Sequence, residues 1–124
     1  MPRVLLIEDD PTMLSLLKIL LELEGYEVLP LEDDSEEGIL GNVIRVQPDL
    51  VLMDVNLRKA SGLKVLERIR EREDCADIRI LMSSGMDYRI ECKQAGANDF
   101  LQKPYMPDDL VEALRRVMNR QTEN

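Results

Sequence analysis

The groups in this chain that could do chemistry follow short apolar runs. Val4-Leu5-Leu6-Ile7 runs into Glu8-Asp9-Asp10, and Leu50-Val51-Leu52-Met53 runs into Asp54. Ile78–Met82 ends at Ser83-Ser84, and Asp99–Leu101 is followed at short range by Lys103-Pro104. Asp10 ahead of Pro11 reads as a helix N-cap with proline at N1, which leaves Glu8 and Asp9 for other work. Carboxylates gathered at one place repel and protonate unless a cation sits among them. An all-oxygen set with waters suits Mg²⁺, which takes one or two carboxylates together with phosphate oxygens. Lys103 adds a positive charge suited to a phosphoryl group, and an aspartate is itself a nucleophile that forms aspartyl phosphates. These residue types imply Mg²⁺-dependent phosphoryl transfer to an aspartate, by positioning and charge neutralisation. Taken singly, each has a plainer reading: a turn aspartate, turn hydroxyls, a solvated lysine. Only their joint placement after successive apolar runs carries weight.

Composition narrows the alternatives. The chain has no histidine, which removes His-based triads, imidazole zinc sites and imidazole acid–base pairs. Its formal net charge of −9 repels a phosphate backbone, so nonspecific nucleic-acid binding is disfavoured, and 3% aromatics leave few stacking platforms. Cys75 and Cys92 lack C-x-x-C spacing and read as reduced thiols of a cytoplasmic protein. No run approaches the roughly 20 apolar residues of a membrane span, and Val4–Ile7 is too short for a signal peptide. The expectation is a soluble, cytoplasmic chain.

The elements that must position these groups alternate. Val4–Ile7, Glu27–Leu31, Leu50–Met53, Ile78–Met82 and Asp99–Leu101 read as short strands, three of them almost unbroken apolar runs of the kind buried on both faces of a parallel sheet. Met13–Leu23 reads as a helix ending at Glu24-Gly25, and Ser35 to Val46 as a second helix capped by Ser35. Leu63, Leu66 and Ile69 mark a third, Tyr88–Ala95 a short fourth, and Leu110, Leu114, Val117 and Met118 a fifth that opens at Pro107 and runs to about Arg120. Five successive β-α units predict an α/β fold, a doubly wound parallel five-stranded sheet with helices on both faces. In such a sheet function gathers at the carboxyl ends of the strands. The 124 residues make one domain, with a core over about 3–120 and a loose tail at 121–124.

At this point the chain resembles the receiver domain of two-component response regulators. The resemblance covers nearly the whole chain and rests on four segments in order: Val4 to Asp10, Pro48 to Asp54, Ser61-Gly62-Leu63, and Ala95 to Pro104. It implies a (βα)₅ flavodoxin-like fold with strand order 2-1-3-4-5. It also implies phosphorylation by a sensor histidine kinase or phosphotransfer protein and a surface change read by an output protein or domain. Carried over by position, Asp54 is the phospho-acceptor, and Glu8 and Asp9 are the acidic pair that holds Mg²⁺ with Asp54 and the main-chain carbonyl of Asn56. Ser83 or its neighbour Ser84 is the switch hydroxyl, Ser83 being favoured because it follows Met82 directly. Lys103 binds the phosphoryl group, Lys103-Pro104 is a cis peptide, and Phe100 is the aromatic ring that turns inward on activation. In that scheme Ser83 and Lys103 reach the phosphoryl oxygens only once their loops have moved in.

Several positions depart from the family pattern. Arg58 stands where proline is usual, Ser61 replaces an acid before Gly62, and Met106 stands where a capping side chain usually precedes the fifth helix. A Mg²⁺-dependent phosphatase with an aspartate nucleophile, as in haloacid-dehalogenase-like hydrolases, needs a second Asp two residues on, and that position is Asn56. A binding module without phosphorylation is disfavoured by intact Glu8, Asp9, Asp54 and Lys103. The first helix also carries more apolar surface than one sheet face needs. Either the fifth helix covers the surplus and buries Leu16 and Leu23, or the surplus forms a contact for a partner or a second copy in a homodimer.

Overall fold

A computed structural model describes residues 1–119. Its elements alternate throughout: β1 (Arg3–Ile7), α1 (Pro11–Leu23), β2 (Glu27–Leu29), α2 (Glu36–Val46), β3 (Leu50–Asp54), α3 (Gly62–Arg70), β4 (Arg79–Ser84), α4 (Arg89–Gln94), β5 (Asp99–Gln102) and α5 (Pro107–Asn119), with a 3-10 turn at Glu73–Cys75. The five strands pair in parallel in the order β2-β1-β3-β4-β5. The fold class read from the sequence is therefore the one observed. Arg120 and the expected tail at 121–124 lie outside the described residues.

Period-two alternation explains the layers. Leu5, Ile7, Val51, Met53, Ile80 and Met82 point to one face, where α2, α3 and α4 cover them with Ile39, Val43, Val65, Leu66, Ile69 and Cys92. Val4, Leu6, Leu50, Leu52 and Leu81 point to the other, beneath Leu17 and Leu21 of α1 and Leu110, Ala113, Leu114 and Val117 of α5. Both faces of the central strands are buried, which is why these strands read as unbroken apolar runs.

The ends of the helices follow local chemistry. The Asp10 carboxylate accepts from the N–H groups of Thr12 and Met13, at 2.9 and 3.3 Å, with Pro11 opening α1. Ser35 accepts from Gly38 N–H at 3.0 Å, and Ser61 caps α3 through Lys64 N–H at 3.3 Å. Before α5, where Met106 offers no cap, Asp109 reaches back to accept the Met106 N–H at 2.8 Å. That is the return half of a capping box.

Two sequence readings need correction. The second strand ends at Leu29 rather than Leu31, one residue short of Pro30, which has no N–H to give a ladder. The fourth strand runs through Ser83 and Ser84, both buried, so these serines are strand residues rather than turn residues. The fifth helix does not cover the surplus of α1: Leu16, Ile19 and Leu23 remain 45%, 56% and 75% exposed, whereas Leu21 is fully buried. Leu23→Lys should therefore change the unfolding free energy by no more than about 0.5 kcal/mol, while Leu21→Ala should cost about 2–5 kcal/mol. Urea denaturation of the two variants checks the contrast.

Candidate functional site

Sheet register brings the chemistry together. Asp54 lies directly beside Ser83 across the β3–β4 pair, and Ser84 beside Gln102 across β4–β5. The Lys103 N–H donates to Ser84 C=O at 2.8 Å, which fixes the start of the β5–α5 loop against the end of β4. Gly62 lets α3 begin against the end of β3. A Cβ there would stand 2.1 Å from Asp54 O, and Gly62 N–H donates to Val55 C=O at 2.7 Å. The Lys103-Pro104 peptide bond is cis.

These constraints converge Glu8, Asp54, Ser83 and Lys103. The Lys103 ammonium donates to Glu8 Oε1 at 2.7 Å and stands 3.1 and 3.2 Å from the two oxygens of Asp54. Ser83 Oγ donates to Asp54 Oδ1 at 3.0 Å. The side chains are largely removed from solvent: Glu8 is 4% exposed, Asp54 13% and Lys103 21%. Burial, and then the neighbouring Glu8 charge, push the Asp54 carboxyl above its ordinary range, although Lys103 and Ser83 pull against them. Burial lowers the Lys103 pKa, but hydrogen bonds and charge from Glu8 and Asp54 outweigh it, and the net shift is upward. A buried pair of acids is thus held by one ammonium and one hydroxyl.

Asp9 stands apart from this pair. Its Oδ2 accepts the main-chain N–H of Arg58, and the Arg58 guanidinium donates to the Asp9 carbonyl at 3.2 Å. Glu8, Asp9, Asp54, Asn56, Arg58 and Lys103 nonetheless line one open cleft of about 550 Å³. Among the described residues no three carboxylates or thiols converge closely enough to hold a metal by themselves. A closed site of thiolate and imidazole ligands, as for structural zinc, does not fit, because the cleft is lined by neither. An oxygen-only set that offers one or two carboxylates and leaves room for water does fit a hard cation such as Mg²⁺.

The two adjacent serines do different things. Ser83 faces Asp54, whereas Ser84 Oγ accepts the Met86 N–H at 3.1 Å and the Asn56 side-chain amide at 3.5 Å. The Phe100 ring is already inward, 1% exposed, and Ser83 and Lys103 already touch Asp54. The hydroxyl and the ammonium are thus both in contact with the free Asp54 carboxylate. Residues that sequence reasoning passed over also border the site. The Arg89 guanidinium lies 5.5 Å from the Phe100 ring centroid and donates to the Phe100 carbonyl at 3.3 Å. The Tyr105 hydroxyl is buried without a hydrogen-bond partner among the described residues, and burial, Glu8 and Asp54 all raise its pKa. Arg58 was visible as a departure from pattern, but nothing in the sequence signalled its contact with Asp9, 49 residues away.

Comparison with known proteins agrees with this geometry. The family model described as the response regulator receiver domain matches residues 4–115. The chain is 36% identical over 125 residues to the DNA-binding dual master transcriptional regulator RpaA of Synechocystis, covering 97% of this chain and 50% of that one. It is 36% identical to the cell cycle transcriptional regulator CtrA of Caulobacter vibrioides, covering 95% of this chain and 51% of that one. The chain thus spans about half the length of these curated relatives. A crystal structure of the receiver domain of a Pseudomonas aeruginosa sensor histidine kinase, with a magnesium ion coordinated in its active-site cleft, superposes with a TM-score of 0.82 at 27% identity. That alignment covers 95% of this chain and 98% of that one.

The raised Asp54 pKa fixes the sign of a pH effect. The folded protein binds the Asp54 proton more tightly than the unfolded chain, so ionised Asp54 opposes folding at neutral pH. That opposition is relieved as pH falls through the raised folded value, and it is absent below the ordinary carboxylate value. Asp54→Asn should therefore melt above the wild type at pH 7, and the gap should close as pH is lowered towards 4, as differential scanning calorimetry across that range would record.

Proposed function

The chain belongs to the response regulator receiver domain family, and from that premise we propose that Asp54 accepts a phosphoryl group from a sensor histidine kinase or phosphotransfer protein. Receiver domains are signalling switches rather than turnover enzymes. The single observation that supports Asp54 as acceptor is its placement at the end of β3 with Lys103 and Ser83 both on its carboxylate.

In this reading an Asp54 oxygen attacks the phosphorus of a phosphohistidine. The new O–P bond forms as the N–P bond breaks, and the imidazole leaves with the electron pair. Lys103 neutralises charge on the transferred oxygens, and the Ser83 hydroxyl passes from the free carboxylate to a phosphoryl oxygen. Because both donors already sit on Asp54, little of the catalytic arrangement remains to be built when the donor arrives. Glu8, Asp9, Asp54 and the main-chain carbonyl of Asn56 are the groups proposed to hold Mg²⁺, which supplies further neutralisation of phosphoryl charge. The same groups would serve the domain's own phosphorylation and dephosphorylation.

Phosphorylation adds between about 1.5 and 2 negative charges at one fixed point. Lys103 must then divide its hydrogen bonds between Glu8 and new oxygens, and the strain falls on the β4–α4 and β5–α5 loops. Phe100 and Arg89 join those loops to α4, so the change is read on the surface of α4, β5 and α5 by an output protein or domain. The relatives are named as transcriptional regulators of about twice this length, and output of that kind fits a domain whose own net charge of −9 disfavours direct nucleic-acid contact. Among the described residues no helix is long and apolar enough to cross a membrane. We place the protein in the cytoplasm, with residues 1–124 as a single receiver domain.

Incubation with a small acyl phosphate and Mg²⁺, read by intact mass, tests the proposal. One phosphoryl group should appear on the wild type, none in excess chelator and none on Asp54→Asn. A full label on Asp54→Asn, no label on the wild type, or multiple turnover of a phosphate monoester would each contradict it.

A further inference from the structure

The β3–α3 loop carries Arg58 across the cleft to the β1–α1 loop, where both of its polar groups are spent on Asp9. The main-chain N–H goes to the carboxylate and the guanidinium to the carbonyl at 3.2 Å. A proline at this position could make neither bond, having no N–H and no charge. The arrangement has a parallel on the opposite wall, where Lys103 takes Glu8. With Asp9 given to Arg58 while Lys103 holds Glu8 and Asp54, Asp9 is partnered apart from the other two acids and no three of them meet, among the described residues.

We infer that Arg58 is a positioning residue that competes with a divalent cation for Asp9, its main-chain N–H occupying the carboxylate and its guanidinium setting a positive charge at the mouth of the cleft. The inference rests on the proposed metal site at Glu8, Asp9 and Asp54. Two separable effects follow. A carboxylate oxygen that accepts an N–H bond is a poorer ligand until that bond is broken or shared. A unit charge held beside a site for a doubly charged ion opposes its entry, and because Arg58 is exposed, salt screens that opposition. Metal binding and release of the Asp9–Arg58 contact are therefore one event, and the loop that carries Arg58 is freed when the cation enters.

The test titrates Mn²⁺ into the whole chain and reads free Mn²⁺ by electron paramagnetic resonance, with Mg²⁺ as competitor. Arg58→Ala keeps the N–H and removes the charge, and it should bind Mn²⁺ about 3- to 10-fold tighter at low salt, with the advantage shrinking at high salt. Arg58→Pro removes both groups and should bind tighter still. Arg58→Lys, which keeps a charge and a donor, should return to within about twofold of the wild type. A merely structural role for Arg58 would not produce this order, nor an advantage over the wild type that salt erodes in the charge-removing variants. Mn²⁺ binding by Arg58→Ala and Arg58→Pro that is no tighter than the wild type's overturns the competition while leaving the metal site intact. A wild type that binds no Mn²⁺ overturns the metal site and the inference together. Arg58→Ala alone decides the question should Arg58→Pro fail to fold.

Discussion

The Lys103 ammonium is the only cation in contact with both Glu8 and Asp54 among the described residues, and the end of the sheet is arranged around that fact. Two acids removed from water at such close quarters cannot both stay ionised without a counter-charge. Lys103 supplies it at 2.7 and 3.1 Å, from a loop pinned to β4 through the bond between its own N–H and Ser84 C=O. The residual tension shows in the upward displacement of the Asp54 pKa, which burial and Glu8 cause and Lys103 and Ser83 do not fully offset. A carboxylate kept under-neutralised in this way has a standing preference for further positive charge or for conversion to a form whose charge is better shared.

That imbalance links fold to function. β1 and β3 are neighbours in a sheet whose order is β2-β1-β3-β4-β5, so the acids that leave their carboxyl ends are adjacent, and β4 and β5 bring Ser83 and Lys103 alongside. Gly62 closes the remaining side by admitting the first turn of α3 against Asp54. The Ser83 hydroxyl and the Lys103 ammonium both stand on the Asp54 carboxylate, and the Phe100 ring is buried. On the proposed function, phosphorylation of Asp54 would act by changing the relative weight of these contacts, since a ligand shifts an equilibrium only by its differential affinity for the two states.

Much of this was legible in the sequence for a specific reason. Strands buried on both faces leave unbroken apolar runs, and the polar residues that follow them are where the chain reaches solvent at the sheet edge. The rule located Glu8, Asp9, Asp54 and Lys103. It misplaced the end of β4, because Ser83 and Ser84 are buried polar residues inside the strand and look like a turn to any reading by hydropathy. Contacts made by long side chains were not legible at all. Arg89 over Phe100 and Arg58 on Asp9 depend on loop trajectories joining residues 11 and 49 apart, and one arginine among many carries no mark of where its guanidinium ends up. The uncovered leucines of α1 fall between these cases: the excess was visible, and its exposure became visible only once α5 was placed.

The central claim is that Lys103 is the counter-charge that allows Glu8 and Asp54 to share the end of the sheet. A double-mutant cycle of Lys103→Met and Asp54→Asn, followed by denaturant unfolding at pH 7, tests it most directly. Loss of Lys103 alone should cost about 2–4 kcal/mol, because it leaves two buried acids without a counter-charge. Adding Asp54→Asn to that background should recover at least half of the loss. Strict additivity, with Asp54→Asn worth the same whether or not Lys103 is present, would contradict the account.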